Sequence, residues 1–151
     1  MTYFEPGNSR SRLSFLEWVK NHMDEVISNV HWLAVAVGAA VAFTLGWLWY
    51  GPLFGKAWMA GVGLDPSKMT ELPVPAMVAQ ALGTFFLAWV FGVTAKNNAL
   101  WTVILVTVTI AALIAAGGLY VKKSQTAISI EVGYVFAMAF VLFLGQALIK
   151  F

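Results

Sequence analysis

Four long apolar runs decide what this chain can become: residues 32–50, 75–95, 100–121 and 126–149, in which Glu131 is the only charged residue. As helices of about 19 to 24 residues they reach roughly 28 to 36 Å, enough to cross the hydrocarbon of a bilayer. A chain in lipid has to pair every backbone N–H and C=O within itself, so such runs fold as helices. The run Val103-Ile104-Leu105-Val106-Thr107-Val108-Thr109-Ile110 is β-branched enough to suggest a strand, but its apolar length decides for a helix. The expected fold is an all-α integral membrane protein, a compact bundle of four transmembrane helices. With 60% hydrophobic and 11% charged residues and a mean hydropathy of +0.79, composition points the same way. The net charge is +2, and nine Lys and Arg scattered among seven acids form no basic stripe, which excludes nucleic-acid binding. The absence of Cys excludes disulfides, thiolate chemistry and Cys-based metal sites.

Residues 1–30 read as a separate region. Residues 1–10 hold Pro6, Gly7, Asn8 and Ser9 and read as an irregular tail. Ser14 and Glu17 stand in the S-x-x-E form of a capping box, which predicts helix onset near Phe15. From there Phe15, Leu16, Val19, Met23, Val26 and Ile27 recur at helical spacing, with Glu17, Lys20, Asn21 and Asp24 on the other side. Such a helix is too polar to span. Either it lies in the membrane interface or it docks on a partner, and its acids favour a partner over anionic lipid. No basic segment directly precedes the first span, so that span reads as an uncleaved signal anchor.

Within residues 31–151 three of the four spans have a face for close packing. Ala34, Gly38, Ala42 and Gly46 fall four apart on the first, Gln80, Thr84, Ala88 and Gly92 on the second, and Ser129, Gly133, Ala137, Val141 and Gly145 on the fourth. Small residues also gather near the end of the third, from Ala111 to Gly118. The first span ends in a dense motif, Gly46 to Met59, where Gly51-Pro52 is expected to stop the helix and Trp47, Trp49, Tyr50 and Trp58 to anchor the headgroup layer. A loop is predicted from Ala60 to Val74, Pro75 suits a first helical turn, and Lys96-Asn97-Asn98 is too short for anything but an antiparallel hairpin.

Four spans place both termini and the Lys96 turn on one side, and the motif and the Lys122-Lys123 turn on the other. Lys20, Lys96 and Lys150 on the first side nearly balance Lys56, Lys68, Lys122 and Lys123 on the second, with a slight lean to a cytoplasmic motif side. Glu131 needs a partner at its depth. Lys56, Lys122, Lys123, Tyr50 and Tyr134 are within topological reach, and Lys56 is expected to face it, clamping the first span to the last. The clamp would comprise Trp49, Tyr50, Pro52, Gly55, Lys56, Trp58, Glu131 and Tyr134. Two readings of Glu131 stand, a structural ion pair and a proton or cation relay. Gln80 reads as an interhelical hydrogen-bonding group. His22 and His31 have no metal-pair spacing, and no nucleophile set or phosphate loop is visible, so no enzyme, no metal and no cofactor are predicted; a bound lipid is left open.

From His31-Trp32-Leu33-Ala34 to its end the chain resembles a bacterial membrane family known as domain of unknown function seventeen sixty-one. The residues that carry the resemblance are Gly46, Trp49, Tyr50, Pro52, Phe54, Gly55, Lys56, Trp58 and Met59, with one residue fewer between Pro52 and Phe54 than the family's motif, then Gly133-Tyr134 and Gly145. The resemblance implies a four-helix membrane fold and brings no activity. Members often begin almost directly with the first span, so residues 1–30 are an addition whose simplest use is docking. The expected function is a non-catalytic accessory or structural subunit of a larger complex in the bacterial inner membrane, docked through Phe15, Leu16, Val19, Met23 and Ile27 and through small-residue faces. The alternative is a homo-oligomeric transporter or channel using Glu131 and Lys56.

Overall fold

The structure, a computed structural model, describes residues 9–28, 30–65, 67 and 73–149. Residues 1–8 of the expected tail lie outside the described residues, as do Lys68 and Lys150 of the charge balance. The chain divides between Val30 and His31 into two units.

The first unit holds helix α1, Ser9–Ile27. It starts earlier than the expected onset at Phe15. Ser9 to Leu13 contain neither Pro nor Gly, so nothing breaks the ladder there, and Ser14 and Glu17 sit inside the helix instead of capping it. Leu16 and Met23 are exposed, as are Phe15 and Ile27, while Val19 is half-buried. The Trp18 carbonyl, which can only accept, is 2.8 Å from His22 Nδ1, so that nitrogen carries the proton.

The second unit is built from α2 (Trp32–Leu48), a π-helical turn (Trp49–Leu53), α3 (Gly55–Val62), α4 (Val74–Lys96), α5 (Leu100–Tyr120) and α6 (Gln125–Leu148). Among the described residues four helices are long and apolar enough to span a membrane: α2 with its π turn, α4, α5 and α6. His31 caps α2 by accepting the Ala34 N–H at Nδ1, and Ser124 caps α6 by accepting the Ala127 N–H at 3.1 Å. The β-branched run of α5 is helical, and Pro75 stands in the first turn of α4.

Gly51-Pro52 interrupts the first span as expected, with α2 ending at Leu48 just before it. Pro52 has no N–H to give to Leu48, and a wider turn follows: the Phe54 N–H reaches back five residues to the Trp49 carbonyl at 2.9 Å. Gly51 leaves helical geometry within this turn and kinks the chain. The chain then re-enters a helix, so Gly55–Val62 is α3 where a loop is expected from Ala60. Gly63 ends it in the left-handed conformation (φ 73°), its N–H on Ala60 and the Leu64 N–H on Met59 at 2.9 Å, a Schellman closure. Beyond it the Ser67 hydroxyl and N–H both donate to the Asp65 carboxylate and hold it below the usual carboxylate range.

α6 is the central helix. Half of its most apolar stretch is buried, against 28% or less for the other spans. α2 runs antiparallel to it and packs on both α6 and α4; α5 and α3 pack on α6. The crossing of α2 and α6 depends on missing side chains: Gly38 backs onto Leu142, and a Cβ at Gly145 would meet the Gly38 Cα at 3.7 Å. Ala34, Gly38, Ala42 and Gly46 are all buried, as are Thr84, Ala88 and Gly92 on α4. On α6 the buried positions include the bulky Tyr134, Val135, Met138 and Leu142, while Gly133, Ala137 and Gly145 are half-buried beside them.

Candidate functional site

The candidate site is the clamp where the π turn and α3 meet the first turns of α6. Its outer layer is Glu131, on the second turn of α6. The carboxylate accepts from Trp58 Nε1 of α3 at 2.9 Å and from Lys123 Nζ at 2.6 Å, on the same oxygen. The partner is therefore Lys123 and not Lys56, which is exposed on α3. Continuing the chain as α3 puts Trp58 over Glu131, and Lys56, two residues earlier, falls on a different face of that helix. Lys123 immediately precedes the α6 cap and folds back over the next two turns.

Further in, Trp49 Nε1 donates to the Ile130 carbonyl at 3.0 Å, and the indole lies on Gly133, where a Cβ would stand 3.3 Å from the ring. Tyr50 bridges the layers with edge contacts of 5.3 Å to both Trp58 and Tyr134. Tyr134, 3% exposed, sends its hydroxyl across to the Ala42 carbonyl of α2 at 3.1 Å. Gly46 gives it room, since a Cβ there would lie 2.6 Å from the hydroxyl oxygen. Gly55 is equally constrained, because a Cβ would strike the Tyr50 carbonyl. Gln80 Nε2 donates to the Tyr134 hydroxyl at 3.3 Å and to Thr84 Oγ1 at 3.2 Å, and Thr84 donates to Met138 Sδ.

The structure thus brings together Trp49, Tyr50, Gly55, Trp58, Glu131, Gly133 and Tyr134, and leaves Pro52 and Lys56 exposed at the edge. Two further residues complete the clamp. Gly61 gives its carbonyl to the Ser124 N–H at 2.9 Å, and a Cβ at Gly61 would overlap Ser124 and Ala127. The sequence signal for Ser124 is its place as a capping Ser directly before an apolar run; for Gly61 no local signal exists, because its role depends on an α3 that the run Gly61-Val62-Gly63 hides.

Among the described residues every buried side-chain nitrogen and oxygen has a hydrogen-bond partner, and no group of three or more His, Cys, Asp or Glu residues gathers as metal ligands would. In the clamp one oxygen of Glu131 takes both the Trp58 N–H and the Lys123 ammonium, and the Tyr50 ring lies edge-on to Trp58. A separate groove of about 210 Å³ lies at the opposite end of the bundle, bordered by Phe91, Thr94, Asn98, Val103, Phe143 and Gln146.

No curated protein and no solved structure matches the chain. Residues 33–149 match the family described as protein of unknown function (DUF1761), a stretch that takes in all four spans and every residue of the clamp. The chain belongs to the DUF1761 family.

Proposed function

We propose that this protein is a non-catalytic accessory or structural subunit of a larger membrane complex. The observation that carries this reading is the fate of Glu131. The one charged side chain inside a span is taken up by Lys123 and Trp58 near one end of α6, where it ties three segments together. Its charge is matched by Lys123 and lies not at mid-depth but near the start of α6, where a structural ion pair is cheapest to hold. The same feature speaks against the homo-oligomeric transporter using Glu131 and Lys56.

Helix α1 supplies the second support. Leu13, Leu16, Trp18 and Met23 are each more than half exposed, a surface that suits contact with a partner subunit at the membrane face. In this reading the protein sits in the bacterial inner membrane with both termini on one side and the clamp on the cytoplasmic side. It needs no cofactor and binds no nucleic acid.

The test is purification from native membranes in mild detergent, with mass spectrometry of what accompanies the chain. A stoichiometric complex with other membrane proteins is expected. A lone homodimer would overturn the reading, and so would loss of an ion or solute flux on Glu131→Gln with folding intact.

A further inference from the structure

The groove at the end of the bundle opposite the clamp forms where the last turns of α4 and α6 meet the turn 97–99 and the first turn of α5. Phe91, Thr94 and Val103 are buried in its floor, and Phe143 stands about half exposed at its edge. Thr94 spends its hydroxyl on the Val90 and Phe91 carbonyls of its own helix, which leaves it no hydrogen for a ligand. At about 210 Å³ the groove is too small for a helix, which is roughly 10 Å across with its side chains. An apolar cavity of about 150 Å³ takes one benzene, so this one takes about six to eight carbons of an alkyl chain. Phe91 lies five residues before Lys96, about 7.5 Å along the helix, and that depth at the outer edge of a span suits a chain of this length.

The polar groups at the edge of the groove are uncommitted. Among the described residues nothing bonds to the side-chain amides of Asn98 or Gln146, and no acid pairs with Lys96, which follows the groove residue Ala95 in the chain. The other charged residues described in the second unit, Lys56, Asp65, Lys122, Lys123 and Glu131, belong to the clamp end, so Lys96 stands alone at this one. A cation and two amide donors at headgroup depth, beside an apolar groove, match the parts of a phospholipid taken inward: phosphate, ester carbonyls, chain.

We infer that this groove binds one glycerophospholipid, with the first carbons of an acyl chain against Phe91, Val103 and Phe143, the ester carbonyls accepting from Asn98 and Gln146, and the phosphate against Lys96. Charge complementarity selects the headgroup, because a lipid without a phosphate leaves Lys96 unpaired. Size excludes a helix, whether from a second copy of this chain or from another subunit. The inference concerns the end of the bundle away from the clamp and stands independently of the accessory-subunit reading.

The experiment titrates the full chain, delipidated in mild detergent, with phosphatidylglycerol and follows bound lipid by native mass spectrometry. One phosphatidylglycerol per chain should bind ahead of any other. Lys96→Gln should weaken it about fivefold, and dioleoylglycerol, which lacks the phosphate, should bind the parent chain about as weakly. Gln146→Leu should weaken it about threefold. Ala147→Trp, which fills the groove from an exposed position on its lining, should abolish it, whereas Lys56→Gln at the clamp end should leave it unchanged. Far-UV circular dichroism checks that each variant is folded. Equal affinity for phosphatidylglycerol and either dioleoylglycerol or oleate, equal losses for Lys96→Gln and Lys56→Gln, or binding indifferent to Ala147→Trp and Gln146→Leu would overturn the inference. A diazirine-bearing residue at Ala147 in native membranes should carry phospholipid after irradiation; an adduct with a protein, a second copy of this chain included, would overturn it as well.

Discussion

Replacing Gly46 with Ala adds one methyl group at the tightest point between α2 and α6. The new Cβ would lie 2.6 Å from the Tyr134 hydroxyl oxygen and 3.1 Å from its Cζ, where ordinary contact begins near 3.4 Å. Something has to move by about 0.8 Å, and the ring has little freedom. It is 3% exposed, lies edge-on to Tyr50, and has its hydroxyl engaged by Ala42 and Gln80. Overpacking of this kind costs about 1–3 kcal/mol, and losing an interhelical hydrogen bond in a membrane adds about 0.6 kcal/mol. The expected destabilisation is about 2–3 kcal/mol, or roughly 30- to 140-fold in the folding equilibrium. Reversible unfolding in mixed detergent micelles, followed by Trp fluorescence and far-UV circular dichroism, measures it. Tyr134→Phe removes the atom in the way and by itself costs about 1 kcal/mol. In the double variant the methyl group takes the vacated space, so its stability should lie close to that of Tyr134→Phe alone, a favourable coupling of about 2–3 kcal/mol. Additive effects, or a Gly46→Ala protein as stable as the parent, would refute the reasoning.

Two further substitutions separate the clamp from its surroundings. Lys123→Gln strips a partly buried carboxylate of its counter-charge and should cost about 1–3 kcal/mol, whereas Lys56→Gln should stay within about 0.5 kcal/mol of the parent; the same unfolding assay decides, and equal effects would return Lys56 to the clamp. Gly63→Ala puts a side chain on a left-handed residue and should cost about 1 kcal/mol, seen first as faster amide exchange at Leu64 as the closure of α3 frays.

The four spans were legible because apolar length in a bilayer leaves no alternative to a helix, and observed and expected ends differ by only a few residues. The packing face of α2 was legible for a related reason: small residues four apart have no use on a lipid-facing surface, and all four are buried. On α6 the same pattern was a weaker guide. A central helix buries more than one face, and its bulky Tyr134, Met138 and Leu142 are buried along with small residues such as Ala127. What escaped the sequence depends on rotation about the chain. Whether Lys56 or Lys123 meets Glu131 is set by how the π turn and α3 reorient the chain after Pro52, and a turn five residues wide has no signature beyond the missing N–H of the proline. α3 itself was obscured by Gly61 and Gly63, read as turn signals, although one accommodates Ser124 and the other ends the helix. The start of α1 was misplaced because a favourable capping pattern occurred in a stretch with nothing to interrupt the helix before it.

The central place of α6 bears on how the protein is made. Translation delivers α2, α3, α4 and α5 to the membrane before the segment on which α2, α3 and α5 rest has left the ribosome. Until then Trp58 has no carboxylate to meet, Gly46 no hydroxyl to accommodate, and the carbonyl of Gly61 no capping residue. Earlier helices wait with only the α2–α4 and α4–α5 pairings open to them, and the bundle consolidates in one late step when α6 arrives. A premature stop in the Lys122–Ser124 turn therefore removes far more than a quarter of the fold: it leaves three membrane-inserted helices without their common partner, a species for membrane quality control to recognise.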